Sequence, residues 1–518
     1  MMMKAANKGY LKPYFTYFAL FAGLFAFSCE QNPQPRRPNV VVIYADDMGY
    51  GDLHIQNPES KIPTPYLDQL AAEGVRFTDA HSSSGICSPS RYALLTGTYH
   101  WRRQHGIVNS FGKPFFHDTD VTLAHILSEN GYSTACIGKW HLGWDWAFKN
   151  PPSGQTVQFG REVAVYGPDD LDWTIPVSGG PLDRGFGYYF GDGTINFPPY
   201  AWMENDRFLE APTEVMDIHD IGFDTKEGQW EFRPGPKVKG WNPYEVLPTL
   251  TERTVQWIRD QHDEKPFFLY FALPSPHAPI IPNDEFDGKS GAGAYGDFVY
   301  QTDWVVGQVL QALKDKGFEE NTIVVFTSDN GPERYAFARG ENYGHYSMGP
   351  FRGLKRDVWE GGHRVPLLVK WPGHVKAGLV SDRLVSQIDL MSTLCHLLGV
   401  SLPEGVAPDS QPIFSPLGSE EGVPERAHLI HNTMESRWAV RKGDWLYIND
   451  STGQHSAMPE SFAQLRGYEN FQTPGLLFNL AQDPGQRKNL FSEHPQLVAS
   501  LDSLISAEKA KGYLVQRE

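Results

Sequence analysis

Four short, nearly continuous apolar runs, at 40–45, 133–137, 267–273 and 323–327, constrain this chain more than any other feature. Runs of this length and β-branched content suit strands buried on both faces, and such strands occur in parallel sheets covered by helices. Helical periodicity fills the intervals, at 66–73, 122–130, 247–261 and 295–316, with Gly74, Gly131 and Gly317 closing three of the four. The alternation predicts an α/β domain whose mostly parallel central sheet is flanked by helices. A further amphipathic helix is expected at 388–398. From about residue 427 the texture changes: strand-like pieces at 438–441 and 445–448 and a helix at 495–511 predict a small C-terminal α+β subdomain. The expected organisation is a large domain over 39–425 and a subdomain over 426–518. The stretch 147–242 is rich in Gly, Pro and Trp and reads as long loops over the functional face.

Residues 1–29 read as a targeting segment. Lys4, Lys8 and Lys12 precede an apolar run at 14–27, too short for the roughly 20 residues that span a bilayer. Ser28-Cys29 resembles a lipoprotein processing site, and 30–38 reads as a tether. The expected location is outside the cytoplasm, periplasmic or anchored to the outer membrane of a Gram-negative bacterium. Membrane contact would come only through a lipid on Cys29. The net charge of -17 argues against nucleic-acid binding, which needs a basic footprint. An anionic substrate must then be attracted by local cations or a metal. Apart from Cys29 there are three cysteines, an odd number and no disulfide framework. Cys136 and Cys395 lie in apolar patterns and read as buried hydrophobes.

Each apolar run leads into polar residues. They are Asp46-Asp47, Gly138-Lys139-Trp140-His141, Ser275-Pro276-His277 and Ser328-Asp329-Asn330-Gly331. Ligands of open α/β sheets bind beyond the carboxyl ends of the strands, so four such endings converge where a site belongs. Singly, each is an ordinary turn or cap. Asp46, Asp47, Asp329 and Asn330 are hard oxygen donors with no His beside them in sequence, a set that prefers calcium or magnesium to zinc. Three carboxylates buried together repel, and a bound cation keeps them ionised.

Cys87-Ser88-Pro89-Ser90-Arg91, running on to Leu95-Thr96-Gly97, is the most specific motif. Pro89 suits the first turn of a helix, which puts Cys87 at a helix N-terminus, where an anionic partner is favoured. By itself this suggests a thiolate nucleophile. In an exported protein such a thiolate would be open to oxidation, and no resolving cysteine is evident.

The motif Cys87-x-Pro89-x-Arg91 is similar to the signature of the type I, formylglycine-dependent sulfatases, arylsulfatase-like members of the alkaline phosphatase superfamily. The family's second signature is matched by 131–141, from Gly131 through Lys139 to His141, and the resemblance runs over roughly 37–402. It implies an alkaline phosphatase-like fold, one Ca2+ ion, and oxidation of Cys87 to Cα-formylglycine by a maturation enzyme that reads the linear motif. It implies Asp46, Asp47, Asp329, Asn330 and the modified Cys87 as metal ligands, with Arg91 orienting the formylglycine. Lys139 and Lys355 would contact the sulfate, Lys355 lying five residues before Glu360-Gly361-Gly362. His141 would be the partner and base of the formylglycine hydroxyl, and His277 would contact the leaving oxygen. The implied reaction is hydrolysis of a sulfate ester: one hydroxyl of the hydrated aldehyde attacks sulfur, and the second then collapses to the aldehyde and expels sulfate. The expected substrate is a sulfated carbohydrate of galactose type, attacked at a chain end. Trp101-Arg102-Arg103, 144–241 and 333–345 are the expected walls. Two alternatives stay open: a phosphate or phosphonate ester hydrolase of the same superfamily, and a non-catalytic glycan-binding lipoprotein.

Overall fold

A computed structural model describes residues 9, 36–152, 154–158, 162–217, 226–227, 231–415, 417–433 and 436–512. Apart from Gly9, the segment 1–29 that reads as a targeting signal, with Cys29, lies outside the described residues. The described residues from 37 onward form one compact unit.

The strands that build the two main sheets are, in chain order, β1 (Asn39–Ala45), β2 (Val75–Phe77), β3 (Ser133–Lys139), β4 (Tyr188–Gly193), β5 (Met203–Glu204), β6 (Arg207–Phe208), β7 (Phe267–Ala272), β8 (Thr322–Ser328), β9 (Leu367–Lys370), β10 (Leu379–Ser381), β11 (Leu429–Asn432), β12 (Trp438–Lys442), β13 (Trp445–Ile448) and β14 (Leu476–Asn479). The large sheet has the order β10-β2-β9-β8-β1-β7-β3-β4-β5-β6. Its centre, β8-β1-β7-β3-β4, is parallel throughout. Antiparallel pairings begin at β9 on one side and β5 on the other. The four predicted strands are therefore contiguous and central. The strand β4 was hidden in the stretch read as loops, and the outer strands β2, β9 and β10 were also not anticipated.

The helices used below are α1 (Pro65–Ala72), α2 (Cys87–Thr96), α3 (Leu123–Glu129), α4 (Val246–Arg259), α5 (Gly293–Asp315), α6 (Asp389–Leu397) and α7 (Pro495–Ala510). Side chains alternate across a strand. Val40, Val42 and Tyr44 of β1 accordingly enter one apolar layer, with Leu94, Leu127 and Leu394 of α2, α3 and α6. Val41, Ile43 and Ala45 enter the opposite layer, with Leu70, Leu250 and Val306 of α1, α4 and α5. Coverage on both faces explains why these strands are apolar without a break.

The strands β11 to β14 form a four-stranded antiparallel meander. The helix α7 packs on it through Leu501 and Ile505, and the same cluster takes in Ala93 of α2 together with Tyr99 and Trp101. Trp101 is buried between Tyr99 and Trp438 rather than lining a pocket. Arg102 and Arg103 are likewise committed, to Asp409 and Asp120. That part of the expected substrate wall is core, because the C-terminal sheet covers it.

Candidate active site

The carboxyl ends of the central strands bring the expected residues together. Asp46 and Asp47 follow β1, Lys139 ends β3, His277 follows β7, and Asp329 and Asn330 follow β8. Cys87 is the first residue of α2, whose ten residues are all buried, and Gly97 ends the helix in a left-handed cap (φ 63°). Cys87 Sγ lies 3.7 Å from Asp46 Oδ1. Arg91, one turn on, is fully buried; its Nη2 lies 2.9 Å from Asp329 Oδ2 and 3.5 Å from Asp46 Oδ1, and its Nη1 donates to the Lys139 carbonyl at 3.2 Å.

The two lysines sit on opposite sides of the acidic cluster. Lys139 Nζ donates to Asp46 Oδ2. Lys355 Nζ is 2.7 Å from Asp47 Oδ1 and 2.8 Å from Oδ2. The Asn330 amide donates to Asp47 Oδ1 at 2.6 Å, and Asp47 N–H donates to Asp329 Oδ1 at 3.1 Å. His277, which no sequence neighbour linked to the carboxylates, approaches Asp47 Oδ2 to 3.6 Å through Nε2. The fold thus adds a histidine to a cluster that the sequence presented as oxygen-only.

Local backbone conformation also marks the site. Asp47 (φ 63°) and His141 (φ 52°) occupy the left-handed region, which costs a non-glycine residue on the order of 1 kcal/mol or more. Gly138 (φ 102°) permits a shift of the β3–β4 register between Ile137 and Lys139. A Cβ at Gly138 would stand 2.0 Å from the Ala272 carbonyl oxygen of β7. The resulting bulge re-aims Lys139 and His141 at the end of β3.

Burial sets the charge states. Burial raises Asp329 to about 7, and the Asp46 charge adds to this against Arg91. Asp46 is also buried, yet Lys139, His277, Arg91 and Lys355 hold it well below the usual carboxylate range. Burial pushes the Cys87 thiol well up, outweighing the pull of Lys139 and Lys355. Burial thus disfavours the thiolate form of Cys87. Burial, with Lys139 and Arg91, keeps His141 neutral. Its Nε2 lies 2.9 Å from the Val108 carbonyl, which can only accept, so the proton sits there and Nδ1 carries a lone pair. That Nδ1 is buried and has no partner. Burial and then Lys355 keep His277 neutral too; its Nδ1 is bonded to the Ala278 carbonyl, leaving Nε2 toward the cluster.

The donor set fits a hard divalent cation. Ligand atoms of Asp46, Asp47, Cys87 and His277 lie within 4.8 Å of one another. Asn330 Oδ1 is buried without a partner, and so is available as a further oxygen ligand. Two acidic residues lie within the expected walls 333–345 and 144–241 but were not singled out in sequence as site residues. Glu333 is buried 3.8 Å from Lys355 and 2.8 Å from Arg356; against its burial, these cations hold it down to about 2. Asp192, near the end of β4, is the other. Its signal was available, since Tyr188-Tyr189-Phe190-Gly191-Asp192 is an apolar run ending in an acid, as β1 is.

The model of the sulfatase family matches residues 38–400. The chain is 32% identical to an N-acetylgalactosamine-6-O-sulfatase of Bacteroides thetaiotaomicron, over 98% of this chain and 100% of that one. It is 33% identical to human arylsulfatase A, over 88% of this chain and 83% of that one. A solved Bacteroides thetaiotaomicron protein, described in connection with the metabolism of multiple glycosaminoglycans, superimposes with a TM-score of 0.74 at 30% identity, covering 92% of this chain and all of that one. With the sheet, the Cys87 helix and the acidic cluster in agreement, the chain belongs to the sulfatase family and is a sulfuric ester hydrolase.

Proposed function

We propose that this sulfatase removes sulfate from a terminal, galactose-type sugar, with position 6 of an N-acetylgalactosamine unit the first candidate. The observation that carries this reading is the placement of Cys87, Lys139 and Lys355 around Asp46, Asp47 and Asp329, beside a recess lined by Trp144 and Phe197. The likeness to an N-acetylgalactosamine-6-O-sulfatase over the whole chain supports the choice of sugar. The recess is bounded by His141, Trp144, Asp192 and Phe197, and a chain end is its expected occupant.

Asp46, Asp47, Asp329 and Asn330 would hold calcium, which supplies fixed positive charge beside the sulfate oxygens. Formylglycine at position 87 supplies a hydrated aldehyde with two hydroxyls on one carbon. The chain's own groups do the rest. In the ligand-free arrangement, three buried cations (Arg91, Lys139 and Lys355) face three buried carboxylates. With the carboxylates committed to a cation, the lysine ammonium groups are released to neutralise the nonbridging sulfate oxygens. Arg91 stays on Asp329 and orients the side chain at 87. His141 Nδ1, an acceptor by its tautomer, takes the proton of the second hydroxyl. His277 Nε2 faces the leaving oxygen and delivers a proton once the substrate's negative charge raises its basicity.

We also infer export through residues 1–29, with anchoring through Cys29, and oxidation of Cys87 by a maturation enzyme before or during export. A screen of defined sulfated mono- and disaccharides with mature protein tests the function. Sulfate should be released from N-acetylgalactosamine-6-sulfate and from a non-reducing end, and at least tenfold more slowly from the glucosamine counterpart. Rapid loss of internal sulfate from an end-blocked polymer would sink the chain-end assignment, and preference for paired phosphate esters would sink the sulfate assignment.

A further inference from the structure

The Asp192 carboxyl is 4% exposed, and neither oxygen has a hydrogen-bond partner. It lines the recess beside the catalytic cluster together with His141, Thr194, Trp144 and Phe197. Its place is fixed by the sheet. Gly193 pairs with Lys139 across the β3–β4 register, and the His141 N–H donates to the Gly193 carbonyl at 3.2 Å. Asp192 is therefore one residue from the strand position opposite Lys139. A buried acceptor without a partner is costly, and more so when charged. Burial raises its pKa to about 7, against the opposing pull of its own backbone and then of Lys139, and donors brought by a ligand would favour the ionised form.

Aromatic side chains line the same recess. Phe197 meets the His141 ring edge-on, with centroids 5.2 Å apart, and carries the Arg233 guanidinium 3.7 Å over its face. The Trp144 ring stands so close that a Cβ at Gly193 would lie 3.0 Å from it. Aromatic walls with one carboxyl among a few polar groups, Asn109, Ser110 and Thr194, suit a ligand whose flat faces are C–H and whose rim carries donors. A pyranose ring has that character. An ionised carboxylate only accepts hydrogen bonds, and its two oxygens match two donors on adjacent ring carbons.

From this geometry we propose that Asp192 is the residue that recognises the sugar: its two oxygens accept from two adjacent ring hydroxyls of the substrate and set the angle at which the sulfate reaches Cys87. The assignment rests on the carbohydrate reading above. It names Asp192 as a specificity-determining residue, and it predicts that a second sulfate or a uronate carboxylate placed at this rim is rejected by like charge.

The test uses wild-type and Asp192→Asn holoenzyme with three substrates: N-acetylgalactosamine-6-sulfate, the same sugar O-methylated at positions 3 and 4, and 4-nitrophenyl sulfate. For the variant, kcat/KM on the free sugar sulfate should fall 10- to 100-fold, mainly through KM. That loss should exceed the loss on the aryl sulfate at least tenfold. Methylation should cost the wild type at least tenfold and the variant less than threefold, the signature of a direct coupling between residue and hydroxyls. Equal losses on sugar and aryl sulfate would overturn the proposal, because they describe a structural role. Equal sensitivity of both proteins to methylation would overturn it as well. A wild-type enzyme that hydrolyses the aryl sulfate and ignores every sulfated sugar would remove the carbohydrate reading itself, a failure visible before the variant is made. Asp192→Glu serves if the Asn variant melts early: it should fold, keep the charge and misplace it, giving the same substrate-dependent loss.

Discussion

At the residue scale the decisive position is Cys87. It is buried beside Asp46 at a helix N-terminus, and burial keeps its thiol protonated. An unmodified thiol in that setting is a poor nucleophile. The tryptic peptide ending at Arg91 should therefore carry the mass of an aldehyde or its hydrate in active protein. A fully active preparation with thiol at position 87 would contradict the reading. Cys87→Ala should lower kcat by a factor on the order of 10³ or more, as for other nucleophile deletions. Asp329→Ala removes a proposed oxygen ligand and leaves Arg91 without its closest partner. It should abolish turnover and empty the metal site, and elemental analysis should find one calcium per chain in the wild type and less than a tenth of that in the variant. Chelator-stripped, metal-free enzyme with full activity would refute the calcium assignment.

At the element scale, the end of β3 is built on Gly138. Its left-handed φ and its packing against the β7 carbonyl leave no room for a side chain. Gly138→Ala should destabilise the protein by about 3 kcal/mol or more, combining backbone strain with displacement of a central strand. It should also lower kcat more than a stability loss alone would, because the bulge aims Lys139 and His141. Thermal melting with kinetics at a temperature where the variant is folded separates the two effects. The loop bearing Lys355 is held in a comparable way. Asp357 accepts from the Leu354 N–H at 2.9 Å and the His455 N–H at 2.6 Å, tying the loop to the C-terminal part. Asp357→Ala should raise KM for sulfated substrates several-fold, the effect expected if Lys355 contacts the sulfate and is left without support. An unchanged KM would show that the lysine is positioned from elsewhere.

At the scale of the whole molecule, the C-terminal meander is joined to the large sheet's domain by a buried ionic network. Arg441 of β12 lies 2.9 Å from both Asp79 and Glu360, and Arg364 reaches the same two acids at 2.7 Å. Although burial would raise Glu360, Arg441, His81 and Arg364 hold it down to about 2. A depressed carboxylate contributes stability above its unfolded pKa and loses it as pH falls through the folded value. Arg441→Met should cost about 3–5 kcal/mol at neutral pH, the usual effect of stranding buried charge. The difference from wild type should shrink as pH falls from about 4.5 to about 2. A difference in melting temperature that is constant across that window would show that Arg441 acts through packing alone.

The sequence by itself determined the four central strands, because burial on both faces forces an uninterrupted apolar run. It also determined the strand-end residues Asp46, Lys139, His277 and Asp329, because a parallel sheet gathers its carboxyl ends at one edge. Through resemblance to a signature motif it singled out Cys87 and Arg91. Only the tertiary structure decided what depends on distance. The strand β4 is short and flanked by irregular chain, so its periodicity was too brief to separate from loop, and Asp192 was lost with it. Trp101 looked like a pocket wall because no local pattern reveals that the C-terminal meander, more than 300 residues later, covers it. Lys355 and Asp47 are 308 residues apart, and their ion pair exists only because two loops meet above the sheet. Local pattern records which side chains must be buried. Which buried groups face one another, and hence which charges are shifted and which acceptors are left open for a ligand, is settled when the layers pack.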